Sequence, residues 1–159
     1  MQLQIEKMTV NKVRQILAWK YDEPYDFYNN EETDEALKEM FDGSYYVLLN
    51  EQNDVVGFFC IGNTAQVPVG HQFGVYTEDF IDMGLGMHPN LVGKGNGTTF
   101  CTYIIQFITH HYGRKPIRLT VANFNKRAIH LYEKLGFVKV AEFTSNSTDF
   151  MTMIKKQTL

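Results

Sequence analysis

Residues 91–97 read Leu-Val-Gly-Lys-Gly-Asn-Gly, and the chain on either side leaves this run few ways to fold. Ahead of it stands the strand-like Phe80-Ile81-Asp82-Met83-Gly84-Leu85-Gly86-Met87; behind it, residues 98–108 space their apolar side chains for a helix. A strand, a glycine turn and a helix start together make an anion site. Glycine lets the backbone approach a ligand, and the first N–H groups of the helix point at it along the favourable end of the dipole. The arrangement suits a phosphate or pyrophosphate.

Spacing separates the ligand classes that use such turns. A P-loop needs Gly-Lys followed by Ser or Thr, but Lys94 is followed by Gly95, so the magnesium-binding hydroxyl is missing. A dinucleotide fingerprint needs G-x-G-x-x-G and a later acid for the ribose. Gly93 and Gly95 fit its start, Gly97 falls one residue early, and residues 115–119 offer no acid. Alone, the run also has the composition of a plain turn.

A second motif follows at residues 119–137. Asn125 is a good helix N-cap, Ala128, Leu131, Tyr132 and Leu135 share one helical face, and Gly136 suits the left-handed position after the last turn. The order N-x-x-A-x-x-x-Y-x-x-x-G-F, downstream of G-x-G-x-G, resembles the GNAT acetyltransferase superfamily over residues 44–143. Asp82-Met83-Gly84-Leu85-Gly86-Met87-His88-Pro89 is similar to that superfamily's central strand and the proline after it. Tyr25 and Tyr28, after Trp19, add a likeness to bacterial members of unassigned substrate.

The resemblance implies acetyl-CoA as donor and a primary amine, small molecule or peptide, as acceptor, joined by direct attack in a ternary complex. It assigns the pyrophosphate of coenzyme A to the amides of Gly93, Lys94, Gly95, Asn96, Gly97 and Thr98. Val92 stands where the superfamily usually has Arg or Gln, so one side-chain contact is lost while the backbone amides remain. The pantetheine arm belongs along Leu85, Gly86 and Met87, and Asn125 adds a cofactor contact to its capping role. Glycines inside a strand mark close backbone approach, and an N–H there suits an oxyanion.

Tyr132 is the candidate general acid: a phenol is protonated at neutral pH and can give its proton to a leaving thiolate. Some members that acetylate protein N-termini carry a glutamate base where this chain has Thr120, which cannot serve. Asp82 is the chosen base, because it alternates with Gly84 and Gly86 and so shares their strand face; a water chain is the other route. The competing role for Asp82 is a salt bridge, and for Tyr132 core packing. Trp19, Tyr21, Tyr25 and Tyr28 are the candidate acceptor-binding rings. They flank eight acids in residues 20–39, a mixture that suits a protonated amine.

Composition bounds the rest. A chain of 159 residues with 44% hydrophobic content is enough for a single domain over residues 1–159. A net charge of −3 offers no broad basic face for nucleic acid. Cys60 and Cys101 sit in apolar runs and read as buried, reduced thiols of a cytoplasmic protein; no metal-ligand cluster stands out. The start is too polar for a signal peptide, and no apolar stretch is long enough to span a membrane. The oligomeric state, monomer or homodimer, is not legible.

Periodicity predicts strands at 2–6, 44–49, 55–61, 80–87, 117–122, 138–143 and 150–154. It predicts helices at 9–19, 31–41, 97–112 and 125–135, the first with Val10, Val13, Ile16 and Leu17 inward. The expected fold is α/β: a mixed, mostly antiparallel sheet of about six to seven strands flanked by about four helices. The alternative to an enzyme is a non-catalytic GNAT-like module that binds acyl-CoA or docks a partner.

Overall fold

The computed structural model describes residues 1–157. The described residues form β1 (Gln4–Lys7), α1 (Val10–Leu17), α2 (Asp34–Met40), β2 (Tyr45–Leu49), β3 (Val55–Ile61), β4 (Ile81–Met87), α3 (Gly97–Tyr112), β5 (Ile117–Ala122), α4 (Lys126–Lys134), β6 (Val138–Ser145) and β7 (Thr148–Lys155). The seven strands make one sheet in the order β1-β2-β3-β4-β5-β7-β6. β4 and β5 run parallel; β1–β2, β2–β3, β5–β7 and β6–β7 are antiparallel. The sheet is therefore mixed and mostly antiparallel. No described helix is long and apolar enough to cross a membrane.

The chain divides into two compact units, residues 1–60 with 85–100, and residues 61–84 with the chain from 101 on. In the first, Thr9 caps α1 by accepting from the Lys12 N–H at 3.4 Å. Eight residues are too few for a helix to hold alone. Val13, Ile16 and Leu17 supply the difference by burial against Met40, Val47, Leu49 and Val55, each side chain being worth roughly 1.5–3 kcal/mol. Val10, expected inward, is 41% exposed instead: it opens the helix, and the cluster takes up only the residues from Val13 on. Thr33 caps α2 through the Ala36 N–H at 3.1 Å.

Close packing in this unit turns on two glycines. A Cβ on Gly57 of β3 would lie 2.3 Å from the Phe100 ring and 2.7 Å from the Gly86 carbonyl. One on Gly86 of β4 would lie 2.5 Å from the Phe58 ring. The fully buried Phe100, in the first turn of α3, thus seats directly on the main chain of β3.

In the second unit β5 is paired along its whole length with β7, from Ile117↔Lys155 to Ala122↔Phe150. β6 and β7 form a hairpin whose turn is tighter than the five-residue loop expected at 144–148. Asn146 and Ser147 both take positive φ, 48° and 67°, so two residues suffice and the strands extend to Ser145 and Thr148. β6 is a margin of the sheet, with a bulge between Lys139 and Ala141. Val138 and Val140 are exposed there, and Lys139 pairs with Glu142 at 2.8 Å. Residues 62–79, left without an element by periodicity, contain 3-10 turns at Asn63–Ala65 and Pro68–Phe73.

Candidate active site

The glycine turn lies in the first unit. β4 ends at Met87, and the His88 N–H donates to the Val56 carbonyl at 2.8 Å. The Leu91 N–H closes a turn onto the His88 carbonyl at 2.9 Å, and Asn96 Nδ2 donates to the Leu91 carbonyl at 3.2 Å. The Phe100 N–H then donates to the Asn96 carbonyl at 3.1 Å, which makes Asn96 the residue from which α3 winds. Between these braces Gly93 and Gly95 take φ of +71° and +81° on either side of Lys94. Positive φ is glycine's territory, and such alternation turns successive amides into a concave anion cradle. Gly93, Lys94, Gly95 and Thr98 are exposed; Val92, Asn96 and Gly97 are half-buried. A Cβ on Gly95 would meet nothing, so the cradle is open at that point.

Leu85, Gly86 and Met87 are half-buried on β4. The absence of a side chain at Gly86 is explained by the Phe58 ring. The Tyr21 hydroxyl donates to the Met87 carbonyl at 2.7 Å, and burial pushes this phenol's pKa up to about 12. Tyr21 therefore holds the end of β4. Trp19 packs on the core cluster and meets His88 edge-on, with ring centroids 5.0 Å apart. Tyr25 and Tyr28 occupy a 3-10 turn, half-buried, and Phe27 stands perpendicular to Tyr28 at 5.0 Å. All eight acids of residues 20–39 are exposed.

Asp82, in the second unit, is a salt-bridge partner. It is 4% exposed and pairs side-on with Arg118, Nε to Oδ1 at 2.7 Å and Nη2 to Oδ2 at 2.8 Å. Gln66 Nε2 adds a third donor to Oδ2 at 2.9 Å. Arg118 lies opposite Asp82 in the parallel register, between the rings of Tyr76 and Phe80 at 5.1 and 5.4 Å. With its lone pairs engaged by three donors, Asp82 is poorly placed to accept a proton from an amine. This geometry argues against the expected base role. The reason is a partner that β5 supplies from 36 residues away.

Tyr132 sits on α4, buried to 7% exposure, its ring 5.9 Å from that of Phe137. Asn125 caps α4 by accepting from the Ala128 N–H at 3.1 Å. Thr120 Oγ1 lies 2.7 Å from the Tyr76 hydroxyl, which also accepts from the Val67 N–H at 3.0 Å. Sequence reasoning passed over Gln66, His71, Tyr76 and Arg118. One signal was available for Arg118: a lone cation in an apolar strand, with a lone acid in the strand-like run of β4.

Cys60 and Cys101 are buried and form no disulfide, and burial pushes the Cys101 thiol up to about 12. A thiol so held stays protonated at neutral pH and is no nucleophile. Replacing both cysteines with alanine is expected to leave transfer chemistry intact, read as steady-state turnover beside circular dichroism. Loss of turnover in a folded variant would point to an acyl-enzyme.

Among solved structures, a chimera of the Vibrio cholerae spermidine N-acetyltransferase SpeG and hSSAT aligns over 99% of this chain and 96% of its own, at TM-score 0.70 and 23% identity. The dodecameric Vibrio cholerae spermidine N-acetyltransferase aligns over 98% and 94%, at 0.69 and 20%. Vibrio cholerae spermidine/spermine N-acetyltransferase SpeG aligns over 98% and 93%, at 0.70 and 21%. At these identities the likeness establishes the fold. No curated protein matches the sequence significantly. The model of the acetyltransferase (GNAT) family matches residues 10–137, most of the chain, and the protein therefore belongs to that family of acyltransferases.

Proposed function

We propose that the protein transfers an acetyl group from acetyl-CoA to a primary amine by direct attack in a ternary complex. The glycine turn carries this reading: two positive-φ glycines flank Lys94, and α3 starts immediately after them. That concave row of amides at a helix N-terminus fits a diphosphate. Gly93 to Thr98 hold it, with Lys94 adding a charge and Val92 adding none. The main chain of residues 85–87 takes the pantetheine arm, and the Met87 carbonyl keeps a second lone pair beside the one Tyr21 uses. Tyr132 protonates the departing thiolate.

The acceptor is a cationic amine, drawn to residues 20–39. One exposed carboxylate attracts an ammonium 4 Å away by only about 1 kcal/mol in water, so selection needs several acids acting together with the rings of Tyr25 and Tyr28. Structural neighbours named as spermidine acetyltransferases make spermidine the first acceptor to try. The competing reading, a non-catalytic acyl-CoA-binding module, draws on Val92 and on the engagement of Asp82.

Calorimetry with acetyl-CoA and a thiol-release assay on an amine panel test the proposal. Tyr132→Phe is expected to lose about 10²-fold in turnover while still binding coenzyme A. Absence of heat with both acetyl-CoA and coenzyme A overturns the donor assignment. Binding without turnover on the whole panel favours the module.

A further inference from the structure

In the first unit one peptide group joins the end of β4 to the approach of the glycine turn, and it is held on both sides. The N–H of the Met87–His88 peptide donates to the Val56 carbonyl of β3 at 2.8 Å. Its C=O accepts from the Tyr21 hydroxyl at 2.7 Å. Rotating the peptide plane would break both bonds together.

His88 passes this placement on. Its carbonyl accepts from the Leu91 N–H at 2.9 Å, and its Nδ1 accepts from the Asn90 N–H at 3.1 Å. Asn96 Nδ2 donates to the Leu91 carbonyl at 3.2 Å, and α3 winds from Asn96. Pro89 has a fixed φ. The clamped peptide therefore sets where the turn begins, and the turn's other end is fastened to the same short stretch.

Tyr21 is itself firmly placed. It follows Trp19, whose ring packs on the core cluster and meets His88 edge-on at 5.0 Å. The Tyr21 N–H donates to Asn29 Oδ1 at 2.7 Å, and Lys20 Nζ reaches the Asn30 carbonyl at 3.3 Å, so the neck of the loop is closed. Inside the loop the Tyr25 N–H donates to the Asp22 carbonyl at 2.7 Å and the Asn29 N–H to the Asp26 carbonyl at 3.0 Å. A phenol has one proton to give, and here it is committed to Met87. Burial keeps that proton on the oxygen well beyond neutral pH.

We propose that Tyr21 is a positioning residue for the donor and not part of the acceptor wall: its hydroxyl fixes the peptide from which both the main chain of residues 85–87 and the glycine turn are aligned. The inference rests on the donor site of the reading above. Without the hydroxyl, the Met87 carbonyl can rotate and the turn's amides lose their placing against β4. A donor that engages both must then realign them as it binds. Asn29 acts through Tyr21, by holding its main chain.

Calorimetry with coenzyme A, and steady-state kinetics with acetyl-CoA and either spermidine or benzylamine, test this on wild type, Tyr21→Phe, Asn29→Ala and the double variant. Circular dichroism checks that each is folded. Tyr21→Phe should weaken coenzyme A binding and raise KM for acetyl-CoA by about tenfold, the equivalent of one hydrogen bond, with KM for the amines unmoved. Asn29→Ala should weaken coenzyme A binding by about threefold. The double variant should bind no worse than Tyr21→Phe, because the hydroxyl through which Asn29 acts is already gone. A general loosening of the fold would raise every KM together, and the two losses would add. Unchanged coenzyme A affinity in Tyr21→Phe, a rise in the amine KM, or additive losses overturns the proposal and leaves the acetyltransferase reading standing. Wild type that fails to bind coenzyme A overturns both. Wild type that binds it but acetylates neither amine overturns the transfer reading alone, since calorimetry still reads the Tyr21 and Asn29 losses.

Discussion

Arg118→Met is expected to destabilise the fold by about 3–5 kcal/mol, the usual result of removing one partner from a buried ion pair. The methionine fills a comparable volume, so cavity formation is a minor part of the loss. The cost arises because Asp82 stays buried with its charge and keeps only Gln66 as a donor. An isolated buried carboxylate is far more expensive than the pair, whose attraction roughly offsets its own desolvation. The double variant Asp82→Leu/Arg118→Met removes both charges and should recover most of the loss. Urea unfolding of the two single variants and the double variant reads the difference. A double variant as unstable as Arg118→Met alone would show that packing, not the unpaired charge, sets the cost.

Phe100→Ala is expected to cost about 3–5 kcal/mol, since it empties a fully buried ring position. Gly57→Ala overpacks the same spot from the other side and should cost about 1–3 kcal/mol. The two losses should not add. Removing the ring takes away the 2.3 Å clash, so the double variant should be more stable than the sum by about 0.5–3 kcal/mol. Relief stays partial because the Gly86 carbonyl, 2.7 Å from the new Cβ, is main chain and cannot move aside. A double-mutant cycle in urea measures the coupling, and strict additivity would contradict the seating of Phe100 on Gly57. Since Phe100 is the fourth residue of α3, Phe100→Ala should also loosen the start of that helix.

What the sequence made legible follows from how local each signal is. β3, α3 and β5 were bounded correctly because apolar runs and glycine or proline punctuation define them within a few residues. The left-handed backbone of Gly136, at φ +98°, was likewise readable from residue type. Residues 62–79 were not, because 3-10 turns lack an amphipathic period. Tyr21 was assigned to an acceptor wall because its partner, a main-chain carbonyl, has no sequence signature. Asp82 was assigned the base role for a similar reason: only the parallel register reveals that Arg118 lies opposite it. The hydrogen bonds that link His71 to Gln66, Gln66 to Asp82 and Asp82 to Arg118 join three segments, so no single window of sequence could display them.

The bulge in β6 protects the molecule from its own kind. An outermost strand offers a row of idle peptide groups on which another chain can crystallise as an added ribbon. The irregularity between Lys139 and Ala141 breaks the even spacing of that row. A straight incoming strand therefore finds no continuous register, and the Lys139–Glu142 charges raise the cost of drying the approach. Val138 and Val140 can stay greasy and uncovered at this rim without inviting fibrous stacking.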